Sequence, residues 1–208
     1  HRKWYNEATG LYLDGRQLSL AFPLFVGVTP EHLRESVLEK FIEEITVNKP
    51  YLDTGSSGLP ILLKFLVDHL KRPDLIYHCL KSTEMPSYGY FLKRGQFTWP
   101  EYWEVDDIPS RIHTCYTGIS GWFIRGVAGI HPDPQHPGMQ RFRIEPKLVG
   151  DLEWAKARSA SLYGEIVSEW SRTGGRADFV IEVPPNSLAT VVIPAVDPAA
   201  VEEGGAPA

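Results

Sequence analysis

Cysteine, clustered basic charge and long apolar runs are all scarce in this sequence, and each scarcity removes a class of protein. Two cysteines, Cys79 and Cys115, in 208 residues are too few for a disulfide scaffold. Neither sits in a metal-ligand spacing, and both lie in apolar helical contexts, so both are expected to be ordinary buried thiols. No apolar run reaches the roughly 18 to 20 residues that span a bilayer, so no membrane partner is expected. The formal charge is -5, and Lys71-Arg72 and Lys93-Arg94 are isolated pairs. Backbone binding needs clustered Lys and Arg, so no nucleic-acid partner is expected either. The seven histidines show no His-x-x-x-His or similar spacing, and no metal site or cofactor is predicted. Also missing are a Gly-x-Ser-x-Gly elbow, a phosphate loop and a dinucleotide fingerprint; Gly55-Ser56-Ser57-Gly58 reads as a turn. The chain opens on His1-Arg2-Lys3-Trp4-Tyr5, with neither Met nor the apolar stretch of a signal peptide, and the expectation is that it begins inside a longer polypeptide. The compartment stays open, with the periplasm or secretion favoured over the cytoplasm.

What remains is an ordinary globular composition, 43% hydrophobic and 23% charged, enough for one substantial domain or two small ones. Aromatic residues are plentiful, with six Trp and nine Tyr. Flat aromatic faces stack on pyranose rings, but large cores use the same residues, so composition does not choose between them.

The first two-thirds reads as helices. Thr29-Pro30-Glu31 is a helix start, with Thr29 as N-cap and Pro30 at the first helical position. Leu33, Val37, Leu38, Phe41, Ile42 and Ile45 follow at helical spacing. A second helix is predicted from Pro60 to Lys71, apolar nearly all round and therefore packed among other helices. Pro73 to Leu80 gives a third and Gly118 to Ile130 a fourth. Between them lie polar, aromatic connectors, residues 51–58, 85–90 and 95–113, the kind of segment that carries binding residues.

The pattern changes at His131-Pro132-Asp133-Pro134-Gln135-His136-Pro137-Gly138, the expected domain boundary, where His131 and His136 are expected to be solvated. Short runs of strand character follow at 141–144, 151–155, 164–170, 177–183 and 189–193, separated by turns such as Gly174-Gly175 and Pro184-Pro185-Asn186. They suggest an antiparallel β-sandwich. Residues 196–208, rich in Pro, Ala, Glu and Gly, are expected to be a disordered tail.

Five segments occur in a particular order: Thr54-Gly55; Pro86-Ser87-Tyr88-Gly89-Tyr90; Gly95-Gln96-Phe97-Thr98-Trp99-Pro100-Glu101-Tyr102-Trp103; Ser110-Arg111-Ile112-His113; and Gly118-Ile119-Ser120-Gly121-Trp122-Phe123, running to Val127-Ala128-Gly129-Ile130. Downstream come Val149-Gly150-Asp151-Leu152-Glu153-Trp154-Ala155, Tyr163-Gly164 and Ser168-Glu169-Trp170. In order and spacing this resembles glycoside hydrolase family 78, the α-L-rhamnosidases, from about Gly10 to Pro194. The resemblance implies an α+β multidomain fold. Residues 1–131 would be the C-terminal portion of an (α/α)6 barrel and 132–195 a β-sandwich domain. It implies inverting hydrolysis of terminal α-L-rhamnosyl residues, a rhamnose-containing glycan or glycoside as partner, and an N-terminal remainder that supplies the general acid. A half-barrel would expose the apolar side of helices such as Pro60–Lys71, so the chain alone is expected to be neither active nor stable.

The resemblance makes Glu101 the general base and His113 a sugar-hydroxyl contact, with Trp103, Trp99, Tyr88 and Thr54 as further substrate-binding candidates. Each has a plainer reading. Thr98-Trp99-Pro100-Glu101 is also a helix N-terminus that favours an acid, and His113 could be a partly buried, backbone-bonded histidine. Tyr88, Tyr90, Trp99 and Trp103 could be core, Asp53 a turn residue, and Glu104, Asp106 and Asp107 a solvated run or rival bases. The sequence departs from the family where Pro100 stands in place of Trp and Tyr88 in place of Trp, and where the stretch from Glu101 to His113 is shorter. Two alternatives stay open: a polysaccharide lyase acting on rhamnose-containing polymers, and a relative that binds glycan without turnover.

Overall fold

A computed structural model describes residues 1–207. The chain divides into two compact units, His1–Trp122 and Phe123–Ala208.

The first unit opens with a two-strand hairpin, β1 (Tyr5–Asn6) and β2 (Leu11–Tyr12), and then is helical: α1 Gln17–Phe25, α2 Glu31–Glu43, α3 Leu59–Lys64, α4 Pro73–Leu80, α5 Tyr88–Lys93 and α6 Ile119–Gly121. Wide turns extend three of these helices, Glu44–Asn48 after α2, Phe65–His69 after α3 and Trp122–Val127 after α6. Their closing bonds span five residues, as in Lys49 N–H to Glu44 O at 2.8 Å and Leu70 N–H to Phe65 O at 2.8 Å.

The helix predicted at 73–80 has its expected ends and that at 60–71 is present with shifted ends, but several expectations need correction. Thr29 does not cap α2: no side chain caps that helix, and Pro30 is its boundary residue. Thr29 is buried, and its hydroxyl oxygen accepts from the Tyr12 phenol at 3.2 Å instead. α1 was not among the expected helices, and it holds Pro23 within it. Pro23 removes one intrahelical bond, and the helix is held by its inward face, where Leu20, Ala21 and Pro23 are buried. The segment at 85–90 is half helix: Ser87 caps α5 by accepting from Tyr90 N–H at 3.0 Å, and its own hydroxyl donates to Ser82 O at 2.8 Å. Gly89 is needed there because a methyl would run into the Ser82 carbonyl. The helix at 118–130 ends early, since Ile130 begins a strand. Finally, α3 and its extension do not present an exposed apolar side. Leu59, Leu62, Leu63, Phe65, Leu66 and Val67 are all buried within the unit. No helix among the described residues is long and apolar enough to cross a membrane.

The second unit holds two three-stranded sheets. One has the order β3 (Ile130–Pro132), β4 (Arg141–Ile144), β8 (Leu188–Val191); the other runs β5 (Trp154–Ser161), β6 (Gly164–Thr173), β7 (Arg176–Glu182). Strand β4 shows the expected alternation, Phe142 and Ile144 inward and Arg141 and Arg143 outward. These two join Ala128, Ile130, Ala157 and Ile166 in the unit's core. Two further bonds tie β6 to the same corner: Ser168 Oγ donates to Ala128 O at 2.7 Å, and Trp170 Nε1 donates to Val127 O at 3.2 Å. That corner is why the division falls before the Pro-rich segment, which is the β3–β4 turn instead of a break. Within that turn His136 is half-buried and its Nδ1 lies 2.9 Å from the Asp133 carboxylate.

The β6–β7 turn is Gly174-Gly175 with φ of 59° and 84°, the left-handed pair that a tight hairpin requires. One pairing differs from the antiparallel expectation: β4 and β8 run parallel, Phe142 opposite Ala189. A strand joined to its neighbour by a long excursion through three others is free to return in either direction. Residues 196–207, all outside the core, carry a short helical turn at Pro198–Ala200 and a small hairpin, β9 (Glu202–Glu203) with β10 (Ala206–Pro207).

Candidate functional site

The long connector between α5 and α6 is folded back on itself. Its first arm, 98–101, meets its second, 110–113, through three bonds. Thr98 Oγ1 donates to Arg111 O at 2.7 Å, His113 N–H to Trp99 O at 2.7 Å, and Glu101 N–H to Ser110 O at 3.2 Å. This pairing brings Glu101 and His113 onto facing arms of one loop. It also removes the plain reading of Glu101, because no helix starts at 98–101. Glu101 is half-buried and His113 exposed.

Under the loop lies a packed set of rings. Trp103 is nearly parallel to Phe91, with centroids 5.2 Å apart and planes at 21°, and lies 4.1 Å from Tyr116. Tyr88 meets Trp99 and Trp103 edge-on at 5.2 and 5.4 Å. Its phenol donates to Tyr116 O at 2.7 Å. Such ring pairs contribute about 0.5–1.5 kcal/mol each beyond their buried area, so the cluster holds the loop's shape. Burial raises the Tyr88 phenol far above its ordinary value and pushes Tyr116 up to about 12, aided by neighbouring Cys115 and Glu104. Both phenols are thus favoured in their protonated form, and that of Tyr88 is a donor. Tyr88 is buried, and Trp99 and Trp103 are half-buried.

Thr54 is brought in from a distant connector. Its carbonyl accepts from Trp103 Nε1 at 3.0 Å, and Gly58 lets the connector turn tightly, since a methyl there would strike the Thr54 hydroxyl and Leu18. The connector is itself clamped by Gln17, a polar side chain with no exposed surface. Gln17 Nε2 donates to Lys49 O at 3.0 Å and Tyr51 O at 2.6 Å, while its Oε1 accepts from Asp53 N–H at 3.0 Å. The Asp53 carboxylate lies 2.5 Å from Lys49 Nζ. Among the rival acids, Asp106 is held by Arg94 through contacts of 2.5 and 2.7 Å, while Glu104 and Asp107 are exposed. Sequence reasoning missed Gln17, Phe91 and Tyr116. Phe91 directly follows the Tyr88-Gly89-Tyr90 run and could have been included on that ground; nothing near Gln17 signals its role.

No group of three or more His, Cys, Asp or Glu among the described residues is arranged to hold a metal ion. Cys115 is not the buried helical thiol that was expected: it is half-exposed in a turn, with Sγ 2.7 Å from His113 Nδ1. Cys79 is buried, and burial pushes its thiol up to about 12. Iodoacetamide is therefore expected to label Cys115 at least about 10-fold faster than Cys79 in the folded protein, because only thiolate reacts. Timed quenching and peptide mass spectrometry measure both rates, and equal rates would contradict this placement.

Residues 1–127 match the model of the bacterial alpha-L-rhamnosidase 6 hairpin glycosidase domain, and residues 129–206 that of the bacterial alpha-L-rhamnosidase C-terminal domain. An alpha-L-rhamnosidase of Streptomyces avermitilis is 29% identical over 203 residues, covering 93% of this chain and 19% of that protein. One from an Alteromonas species is 30% identical over 187 residues, covering 86% and 20%. Among solved structures, the alpha-L-rhamnosidase from Dictyoglumus thermophilum aligns with a TM-score of 0.84 at 28% identity, over 94% of this chain and 22% of that one. The Streptomyces avermitilis enzyme complexed with L-rhamnose aligns at 0.82 and 27%, over 98% and 21%. The chain thus spans about a fifth of the length of the relatives it matches. By both domain matches, this chain belongs to the bacterial α-L-rhamnosidase family.

Proposed function

We propose that this chain forms part of an enzyme that hydrolyses terminal α-L-rhamnosyl residues with inversion, and that Glu101 is its general base. The observation that carries the reading is the folded connector, which holds a half-buried carboxylate and an exposed imidazole on facing arms over a rigid aromatic floor. Inversion asks for two carboxyl groups about 6.5 to 9.5 Å apart with a water between one of them and the sugar. Glu101 takes a proton from that water as its oxygen bonds to the anomeric carbon. The glycosidic C–O bond breaks, and a second carboxylic acid, contributed by the polypeptide outside this chain, protonates the leaving oxygen. His113, presented to solvent, bonds sugar hydroxyls, with Trp99 and Trp103 offering ring surface to the apolar methyl of rhamnose. Tyr88 supports these rings from below.

The test is proton NMR of aryl α-L-rhamnoside turnover by the full-length polypeptide that carries this chain. β-Rhamnose is expected as the first sugar to appear, with the α-anomer following by mutarotation. First appearance of the α-anomer would sink inversion, and an unsaturated product absorbing near ultraviolet wavelengths would favour a lyase.

A further inference from the structure

Gln17 is the one fully buried polar side chain tied to three backbone groups of the connector that ends at Thr54. Buried amides are retained where their bonds are all made, and here all three go to one short segment, residues 49–53. That segment passes directly into Thr54, whose carbonyl receives the Trp103 indole N–H. Trp103 stands two residues beyond Glu101 and is locked between Phe91 and Tyr116. We propose that Gln17, far from the connector in sequence, is a positioning residue for the hydrolytic site. Its amide fixes the 49–54 backbone, Thr54 O then fixes the Trp103 ring, and the ring sets where the Glu101 arm lies. This rests on the reading of Glu101 as base.

The chemistry is directional. The carbonyls of Lys49 and Tyr51 take one donor each and the Asp53 N–H takes an acceptor; two donors and an acceptor at one neutral tip are what a side-chain amide supplies. Gln17→Glu keeps shape and acceptor but turns an oxygen toward the two carbonyls. Gln17→Met keeps volume and removes both functions. Neither touches substrate.

The experiment measures kcat and KM of the full-length polypeptide on an aryl α-L-rhamnoside, well below the melting temperature, for Gln17→Glu, Gln17→Met, Trp103→Phe and the double variants. The expected result is a fall in kcat of about 10- to 100-fold for each Gln17 variant, with KM changed less than about 3-fold. In the Trp103→Phe background the same Gln17 change is expected to cost under about 3-fold, because the link is already cut. If Gln17→Glu does not accumulate folded, Gln17→Met carries the comparison. A lowered melting temperature with kcat unchanged overturns the proposal and leaves Gln17 purely structural. Losses that multiply in the double variant overturn it too, because the effect then does not pass through Trp103. A parallel Glu101→Gln arm reports on the base alone: if it stays active while the Gln17–Trp103 coupling is present, the base reading fails and the positioning link stands. A parent that turns over no rhamnoside overturns both.

Discussion

Glu101→Gln in the full-length polypeptide is expected to lower the rate of rhamnoside hydrolysis by on the order of 100-fold or more, which is the usual contribution of a positioned base. The substitution keeps the side chain's size and can still orient water, but it removes the ability to take its proton. The backbone bond of Glu101 to Ser110 does not involve the side chain, so the pairing of the two arms should survive. KM should therefore change little and the melting temperature should stay put, which separates a chemical loss from a folding one. The rivals serve as controls. Asp106 is engaged by Arg94, and Asp106→Asn is expected to leave kcat within a few-fold, as loosening an exposed ion pair costs about 0–1 kcal/mol. If Glu101→Gln hydrolyses rhamnoside at close to the parent rate, the base lies elsewhere. If the parent binds rhamnose-rich glycan without turnover, and the variant binds equally, the loop is a binding surface.

The second large effect concerns the sheet unit. Gly129→Ala is expected to destabilise it by at least about 3 kcal/mol, for two separate reasons. The φ of Gly129 is 77°, in the left-handed region that L side chains rarely adopt. A methyl there would also be driven into the backbone of Glu145 and Pro146, which cannot swing aside as a flexible side chain would. The crowding comes from pairing: Glu145 N–H donates to Gly129 O at 2.9 Å, and Lys147 N–H donates to Val127 O at 3.0 Å. Gly174→Ala isolates the first reason, since Gly174 has a φ of 59° and open space around it. It should cost about 1 kcal/mol. Calorimetry of the full-length parent and both variants measures the difference, and similar losses for the two would show that Gly129 is needed only for its backbone angle.

How much of this was legible beforehand depended on the range of each interaction. Pro73 to Leu80 and the strand at Arg141–Ile144 were readable because proline at a helix start and alternating burial act between near neighbours. The Gly174-Gly175 turn was readable for the same reason. α1 was missed because its inward face, Leu20, Ala21 and Pro23, is defined only by the surrounding helices. Thr29 had the right chemistry for a cap, and lost that role to a tyrosine 17 residues away. The motif positions of Glu101, His113 and Trp103 stood out in the sequence, as did the family they resemble.

The sequence by itself therefore pointed to the family and to a helical unit followed by a strand-rich one. The family came from the ordered motif segments, whereas local periodicity and turn residues suffice for helical and strand character, because their energetics are settled within a few positions along the chain. Only the tertiary structure decided that the two arms of the connector pair, that the buried Tyr88 phenol bonds the Tyr116 carbonyl, and that β4 and β8 run parallel. It alone decided that Gln17 reaches a segment 32 to 36 residues away. The Tyr88 and Gln17 bonds each depend on one buried group finding its partner across a closed loop. Burial makes an unpaired donor or acceptor costly, so the partner is compulsory in the folded chain, yet nothing adjacent in the sequence names it.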